Sequence, residues 1–398
     1  MDYINLRGGQ DHNENGLIFD LGSLYDYLTK VEDPRDERGK QYALPILLTL
    51  MVLAKLGGED SPSGITDWIA MRKELLMELN VLGRAKTPCH MTYRRVLQGI
   101  VAPQKFEALI SEYHQPRLKK EEGIVLSMDG KTLRGTIQRG ETRGVHLLAV
   151  YVPGQGLVLV QAEVERKENE IVAAPHVLRQ VNLSGMIVIG DAMHTQRETS
   201  TQIVKDGGDY LWFAKNNQAR TRWAIEKLFV HEVCHLQKGC ALSKDFQMFS
   251  KVNKNHGRIE QRTIMVSALL NDHLDWPHIA QVFRVERIVW HNPYGGKTRE
   301  IVYGLTSLPP QRASPAKLLS LIRNYWGIEN GLHYRRDVTL REDATRLTVG
   351  QAGHNMAILN NLVIGLCLSQ NLHNNLAQTR RRFNARPQDA LQLLLSAL

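Results

Sequence analysis

Between residues 22 and 115 apolar positions recur every three or four residues in short runs: Leu21 to Val31, Ala43 to Leu56 and Ile65 to Leu79. Turn residues separate them, Asp33-Pro34, Gly57-Gly58 and Ser61-Pro62-Ser63-Gly64. The pattern predicts a small all-helical domain over 1–118. Thr87-Pro88 opens a further helical stretch, Met91 to Ile100, in which Arg94 and Arg95 stand side by side. A basic helix after a tight turn reads either as a recognition helix for a DNA groove or as an ordinary surface helix.

After the charged link Lys119-Lys120-Glu121-Glu122 the period shortens. Ile124 to Met128, Val145 to Val152 and Leu157 to Val164 are β-rich runs separated by Gly and Pro, which predicts three neighbouring strands joined by hairpins. A helix over Asn169 to Gln180, a buried strand over Met186 to Ile189, a helix over Thr195 to Lys205 and a strand over Tyr210 to Ala214 follow. Strands followed by strand-helix alternation predict an α/β layer architecture for 119–216. The stretch 217–310 is irregular and mostly β, which reads as an insertion before a long helix starting near Ser314-Pro315. The core would resume over 311–370, and 371–398 reads as a basic tail.

The longest apolar stretches, Ala43 to Ala54 and Met356 to Ser369, fall short of the roughly 18 to 20 residues that span a bilayer, so no membrane segment is expected. The N-terminal residues show no basic and apolar export signal, which points to the cytoplasm. Cys89, Cys234, Cys240 and Cys367 are too few and scattered for a disulfide framework. The formal net charge is +9, and its excess is uneven: 16 basic and 16 acidic side chains balance over residues 1–120, whereas 11 face 5 over 311–398. A polyanionic partner for the C-terminal third is one reading; a solvated basic face is the other.

The candidate chemistry lies in three carboxylates. Asp129 follows the strand Ile124 to Met128, and Asp191 follows Ile187-Val188-Ile189-Gly190, so each sits at the carboxyl end of a buried strand, where α/β sheets form sites. If those strands are adjacent and parallel, the carboxylates converge and need a cation between them. An all-oxygen, incompletely filled shell suits Mg²⁺ or Mn²⁺. Two aspartates that merely cap the following helices are the alternative. Leu318, Ile322, Tyr325, Glu329, Leu332, His333 and Arg336 share one helical stripe by their spacing, which places Glu329 on an apolar face where it must be paired or bound to metal. Lys131, Arg134, His333 and Arg336 around three carboxylates describe a two-metal phosphodiester site.

These residues carry a family resemblance. Ser127 to Gly135 (SMDGKTLRG), Gly190 to Gln196 (GDAMHTQ), Tyr325 to His333 (YWGIENGLH) and Asp337 to Arg346 (DVTLREDATR) resemble the ISAs-type, or H-repeat-associated, insertion-sequence transposases of the DDE group. Asp33 to Tyr42 and Lys215 to Gln218 match as well, so the resemblance covers nearly the whole chain. It implies an RNase H-like mixed sheet with flanking helices, interrupted by a β-rich insertion, and Asp129, Asp191 and Glu329 as catalytic, metal-binding residues. It also implies double-stranded DNA, at the element's ends and at a target, as partner, a homodimer when two ends are joined, and a bacterial, nucleoid-associated setting. His194 and Lys215 join Lys131, Arg134, His333, Arg336, Arg94 and Arg95 as candidate DNA contacts, with Arg380, Arg381 and Arg382 as phosphate contacts on a flexible tail. Related transposases often carry Tyr-x-x-Arg-x-x-x-Glu-x-x-x-x-x-x-Lys, whereas those positions here are Ile322, Tyr325, Glu329 and Arg336. Hairpin processing of the ends is therefore not implied.

A competing motif is His231-Glu232-Val233-Cys234-His235, the zinc-peptidase pattern, whose best third ligands would be Glu260 or His256. It falls inside the insertion and reads as a surface helix. A DNA-binding regulator descended from a transposase is the non-enzyme alternative; three filled acidic positions argue against it.

Overall fold

A computed structural model describes residues 9–119, 123–165, 169–255, 258–291, 295–325, 327–370 and 375–397. Lys120 to Glu122 of the charged link and Trp326 lie outside them. The chain divides into two compact units: residues 1–119, 130–167 and 329–398 form the first, and 120–129 with 168–328 the second. The strand that carries Asp129 is divided between them.

In chain order the elements open with a short antiparallel pair, β1 (Gln10–His12) and β2 (Ile18–Asp20). Helices α1 (Leu24–Thr29), α2 (Leu44–Leu56), α3 (Pro62–Ala70), α4 (Lys73–Glu78), α5 (His90–Arg95) and α6 (Pro103–His114) follow. Then come β3 (Val125–Thr132), β4 (His146–Val152), β5 (Leu157–Glu163), α7 (Glu170–Leu178), β6 (Ile187–Gly190), α8 (Arg197–Lys205), β7 (Asp209–Ala214) and α9 (Ala219–Gln237). Strands β8 (Phe246–Asn255), β9 (Arg258–Ser267), β10 (Gln281–His291) and β11 (Gly296–Thr306) precede α10 (Pro315–Tyr325), α11 (Ala352–Ser369), α12 (Leu376–Ala385) and α13 (Pro387–Leu395).

Among its described residues the first unit is helical with two antiparallel strand pairs, β1–β2 and β4–β5. Ser61 caps α3 by accepting from the Gly64 N–H, and Pro62 opens it, which is why the Ser-Pro-Ser-Gly turn starts a helix there. The single helix expected over Ile65 to Leu79 is two, broken after Ala70 where Met71 and Arg72 stand exposed or half-buried. Both α2 and α11 are buried along nearly their whole length, so neither shows the one-sided apolar face of a surface helix. Asn355 of α11 donates to the Leu97 and Val101 carbonyls, covering acceptors at the end of the α5 turn region. Strands β4 and β5 pair antiparallel, as the hairpin reading predicted.

The second unit is a large mixed sheet with strand order β3-β6-β7-β11-β10-β9-β8. β3, β6 and β7 run parallel, and β11, β10, β9 and β8 continue antiparallel. Ile189, Leu211, Phe213, Ile264, Val266, Phe283 and Val285 pack with Leu318, Leu319 and Ile322 of α10 in one core. The stretch read as a mostly β insertion opens instead with the 19-residue α9, whose apolar positions are diluted by Arg, Glu, Lys and His. Strands β8 to β11 extend the same sheet as β6 and β7, because β11 pairs with β7. Among the described residues no helix is long and apolar enough to cross a membrane.

Candidate active site

In the second unit the parallel register Val125↔Ile187 to Met128↔Gly190 sets the next residues, Asp129 and Asp191, side by side on neighbouring strands. Paired strands lie about 4.8 Å apart, so the two residues fall at one edge of the sheet. Asp129 lies within β3, which runs on to Thr132, whereas β6 ends at Gly190. A Cβ at Gly190 would lie 3.1 Å from both Trp212 and His194, so a larger residue before Asp191 would disturb this strand end. Asp191 is half-exposed; its Oδ1 accepts the Ala192 N–H at 2.7 Å and lies 3.0 Å from the Lys215 Nζ. Burial acts to raise its pKa, but those two hydrogen bonds and the positive charges of Lys215 and His194 leave it below the ordinary aspartate value.

Lys215 follows the last residue of β7, so the third parallel strand also delivers its chemistry to this edge. With Asn216, Asn217 and Arg222 it borders an open groove of about 590 Å³ that includes Asp191 and Met193. Asn217 and Gln218 are held by the carbonyls of Ala192 and Thr195. The sequence reading named Lys215 as a contact and matched Asn217 only as part of the segment Lys215 to Gln218; Arg222, on the first turn of α9, carried no signal of its own.

His194 is not a DNA contact of this groove. It is 1% exposed, with Nε2 3.2 Å from Glu170 Oε2, because the turn after Asp191 folds its imidazole inward. Glu232 of the His-Glu-x-x-His sequence is buried and committed to Ser243, whose N–H and hydroxyl it accepts at 2.8 and 2.7 Å. His256 lies outside the described residues.

In the first unit Glu329 opens a run of π-helical turns, residues 329–333 and 335–339, and its side chain is exposed. This corrects the apolar-face reading. A π turn adds a residue to each turn and rotates the phase, so spacing by three or four ceases to report one face. Gly331 is required in this run, because a Cβ there would lie 2.8 Å from the Tyr151 hydroxyl. Arg336, expected on phosphate, is fully buried: its Nε lies 2.9 and 3.0 Å from the two Glu342 carboxylate oxygens, and Nη1 reaches Gln161 at 3.3 Å. His333 is 8% exposed and likewise turned inward. Lys131 is held by Asp337 at 2.7 Å, with Asp343 3.8 Å away, whereas Arg134 remains largely exposed beside Asp343.

The expected flexible tail is two helices, α12 and α13. Arg380 is buried and bound to Asp60, which removes it from the phosphate contacts; Arg381 and Arg382 stay exposed. Both arginines expected on a recognition helix, Arg94 and Arg95, are exposed at the end of α5.

The DDE-type transposase motif read from the sequence has its counterpart in comparisons with known proteins. The family described as Transposase DDE domain matches residues 120–366. The chain belongs to that DDE transposase family. A second description, DDE_Tnp_1-associated, matches residues 25–114 of this DDE transposase, the helical N-terminal region. Among curated relatives, "Putative transposase YncI" of Escherichia coli O157:H7 is 28% identical over 351 residues, 87% of each chain. "H repeat-associated putative transposase YhhI" of Escherichia coli K12 is 25% identical over 356 residues, covering 87% of this chain and 90% of its own. A piggyBac transposase synaptic complex with hairpin DNA aligns over 91% of this chain and 76% of its own at 9% identity and TM-score 0.41, a likeness too distant to carry an argument.

Two aspartates side by side at a sheet edge fit a hard, oxygen-seeking divalent cation. Among the described residues no three His, Cys, Asp or Glu side chains converge as a ligand set.

Proposed function

We propose that the chain is a DNA transposase that hydrolyses phosphodiester bonds at the ends of its own insertion sequence and joins the freed 3′ ends to target DNA. The observation that carries this reading is the register that sets Asp129 beside Asp191 at the carboxyl edge of parallel strands. Membership of the DDE transposase family supports it. The catalytic core is RNase H-like in this reading, with β3, β6 and β7 as its parallel strands and the stretch from α9 to β11 as its insertion.

Asp129, Asp191 and Glu329 are the carboxylates that would hold Mg²⁺ or Mn²⁺. Bound there, such ions would supply the positive charge that activates an attacking water or 3′-hydroxyl and stabilises the leaving oxygen. The chain's own residues do the rest. Lys215 neutralises Asp191 and, with Arg222, lines a groove suited to a phosphate backbone. Asn217 and Gln218 fix the loop that carries Lys215 by holding the carbonyls beyond Asp191. Arg94 and Arg95 read base edges, since a rigid element presented to a groove is what base recognition needs. No side chain becomes covalently attached to DNA. The protein acts as a homodimer on two ends, in the bacterial cytoplasm at the nucleoid.

The test is incubation of the purified chain with the genomic ends flanking its own gene plus Mg²⁺ or Mn²⁺, with mapping of cleaved strands. Metal-dependent cuts at the element boundary are expected. Specific binding without cutting would identify a decayed, regulatory descendant instead.

A further inference from the structure

The run of π-helical turns that begins at Glu329 ends at Thr339, and a residue far away in sequence closes it. Arg380 on α12 is 5% exposed and uses its guanidinium on three separate segments. Nη1 donates to the Thr339 carbonyl at 3.0 Å, Nε donates to the Lys55 carbonyl at 2.9 Å, and Nη2 meets Asp60 Oδ1 at 2.7 Å. The last carbonyls of a helical run lack partners within it and favour a cation. Arg380 supplies both the hydrogen bond and the charge. Beyond Thr339 the chain turns back through Arg341 in the left-handed region (φ 51°), so the run cannot continue and its end is a fixed point.

A second anchor acts from within the run. Arg336 grips Glu342, Asn360 of α11 donates to the same Glu342 carboxylate at 2.7 Å, and Gln161 joins Arg336 to Asn361. Lys55 and Asp60 both lie in the N-terminal region matched by the associated description, residues 25–114, which thus reaches the acidic run through a buried arginine.

We infer that Arg380 and Asp60 are positioning residues for Glu329, and that the N-terminal region serves to hold this run in place as well as any role on DNA. The inference rests on the proposed reading of Glu329 as a reacting-site carboxylate. Continuous helical turns join Glu329 to Thr339, so a shift at the anchored end is passed along the run to the carboxylate. Displacements near 1 Å are enough to slow a positioned reaction by about a hundredfold. Arg380 in this role touches no DNA, which separates it from its exposed neighbours Arg381 and Arg382.

The experiment compares the full-length parent with Arg380→Ala, Arg380→Lys, Asp60→Asn and, as a control on the exposed face of α12, Gln378→Ala. Hydrogen exchange followed by mass spectrometry reads the backbone, and cleavage of end DNA reads kcat and KM separately. In Arg380→Ala, exchange over 329–340 should quicken by about tenfold or more while α2 (44–56) keeps its protection. Cleavage kcat should fall about tenfold or more with KM for end DNA within about twofold and the salt dependence of DNA binding unchanged. Arg380→Lys should recover part of the loss, Asp60→Asn should share it, and Gln378→Ala should match the parent. Unchanged exchange over 329–340, or protection lost equally in α2, would overturn the inference. So would a shallower salt dependence in Arg380→Ala, which would make Arg380 a phosphate contact. Faster exchange over 329–340 in a protein whose parent cuts no end DNA would leave the anchoring standing and refute the transposase reading.

Discussion

Asp129 and Asp191 in one unit, and Glu329 in the other, are held by different physics. Asp129 lies within β3 and Asp191 directly follows β6, and the positions of both strands are dictated by backbone ladders, β3 to β6 and β6 to β7, over an apolar core. Any side chain that keeps those strands buried would deliver them to the same edge. Glu329 stands on π-helical turns, whose geometry is poorer than that of an α-helix and needs outside support. That support is a chain of buried polar side chains: Arg336, Glu342, Asn360, Gln161 and Arg380. A backbone-held pair tolerates neighbouring substitutions. A side-chain-held residue fails when one partner is removed, because the remaining buried charge has nowhere to go.

The largest expected effect treats all three carboxylates alike. Asp129→Ala, Asp191→Ala and Glu329→Gln should each reduce metal-dependent cleavage by on the order of 10³-fold or more, with double variants hardly worse than single ones. Circular dichroism and DNA affinity should stay near the parent's. Retained cleavage in Glu329→Gln, with loss in Asp337→Asn, would show that the acidic residue was wrongly chosen.

The contrast itself is sharpened by removing one member of the buried pair. Arg336→Met or Glu342→Gln should destabilise the fold by about 3 to 5 kcal/mol in urea unfolding, with the paired variant Arg336→Met/Glu342→Gln less destabilised than the sum. Simple additivity would mean that the two side chains act independently.

A third effect depends on pH. His354 of α11 is buried between Glu107 and Glu163. Burial alone would lower its pKa, but the hydrogen bonds and charges of the two glutamates raise it to about 9. The charged form is therefore favoured in the fold. Its stabilisation is complete below the unfolded value near 6.5 and is lost as pH rises through about 9, up to about 3 kcal/mol in all. Lys55, whose burial lowers its pKa to about 8, slopes the other way. The difference between the parent and His354→Gln isolates the histidine: it should shrink from pH about 6.5 to about 9. A difference that stays constant with pH would sink this assignment.

Smaller still, Arg381→Ala with Arg382→Ala should weaken specific and non-specific DNA binding alike and shallow the plot of log affinity against log salt by up to roughly 0.9 per lost phosphate contact. An unchanged slope would make the exposed arginines a solvated face. The least effect is expected in the backbone-held region. Ser127 is buried in β3, two residues from Asp129, and among the described residues its hydroxyl has no hydrogen-bond partner. Ser127→Ala should change stability by less than about 1 kcal/mol and cleavage by no more than a few-fold. A large loss there would break the comparison, since it would mean that a side chain and not the ladder holds Asp129.

What the sequence determined by itself was whatever depends on local period and on motif order. Apolar runs bounded by Gly and Pro marked β3, β4, β5, β6 and β7, and the acidic residues behind Met128 and Gly190 marked the sheet edge. Tertiary structure alone decided which charges are available. Arg336, Arg380 and His194 look in sequence like any basic residues beside an acidic site, yet each is buried against a carboxylate 6, 320 and 24 positions away. Charge is local and its partner is not: a basic side chain is a ligand for phosphate or an anchor for the fold according to which distant acid packing brings within 3 or so Å, roughly the reach of a charged hydrogen bond. The π turns at Glu329 were illegible for the same reason. The regular spacing of residues around Glu329 describes an α-helix well, and only the buried partners of the run select the wider turn.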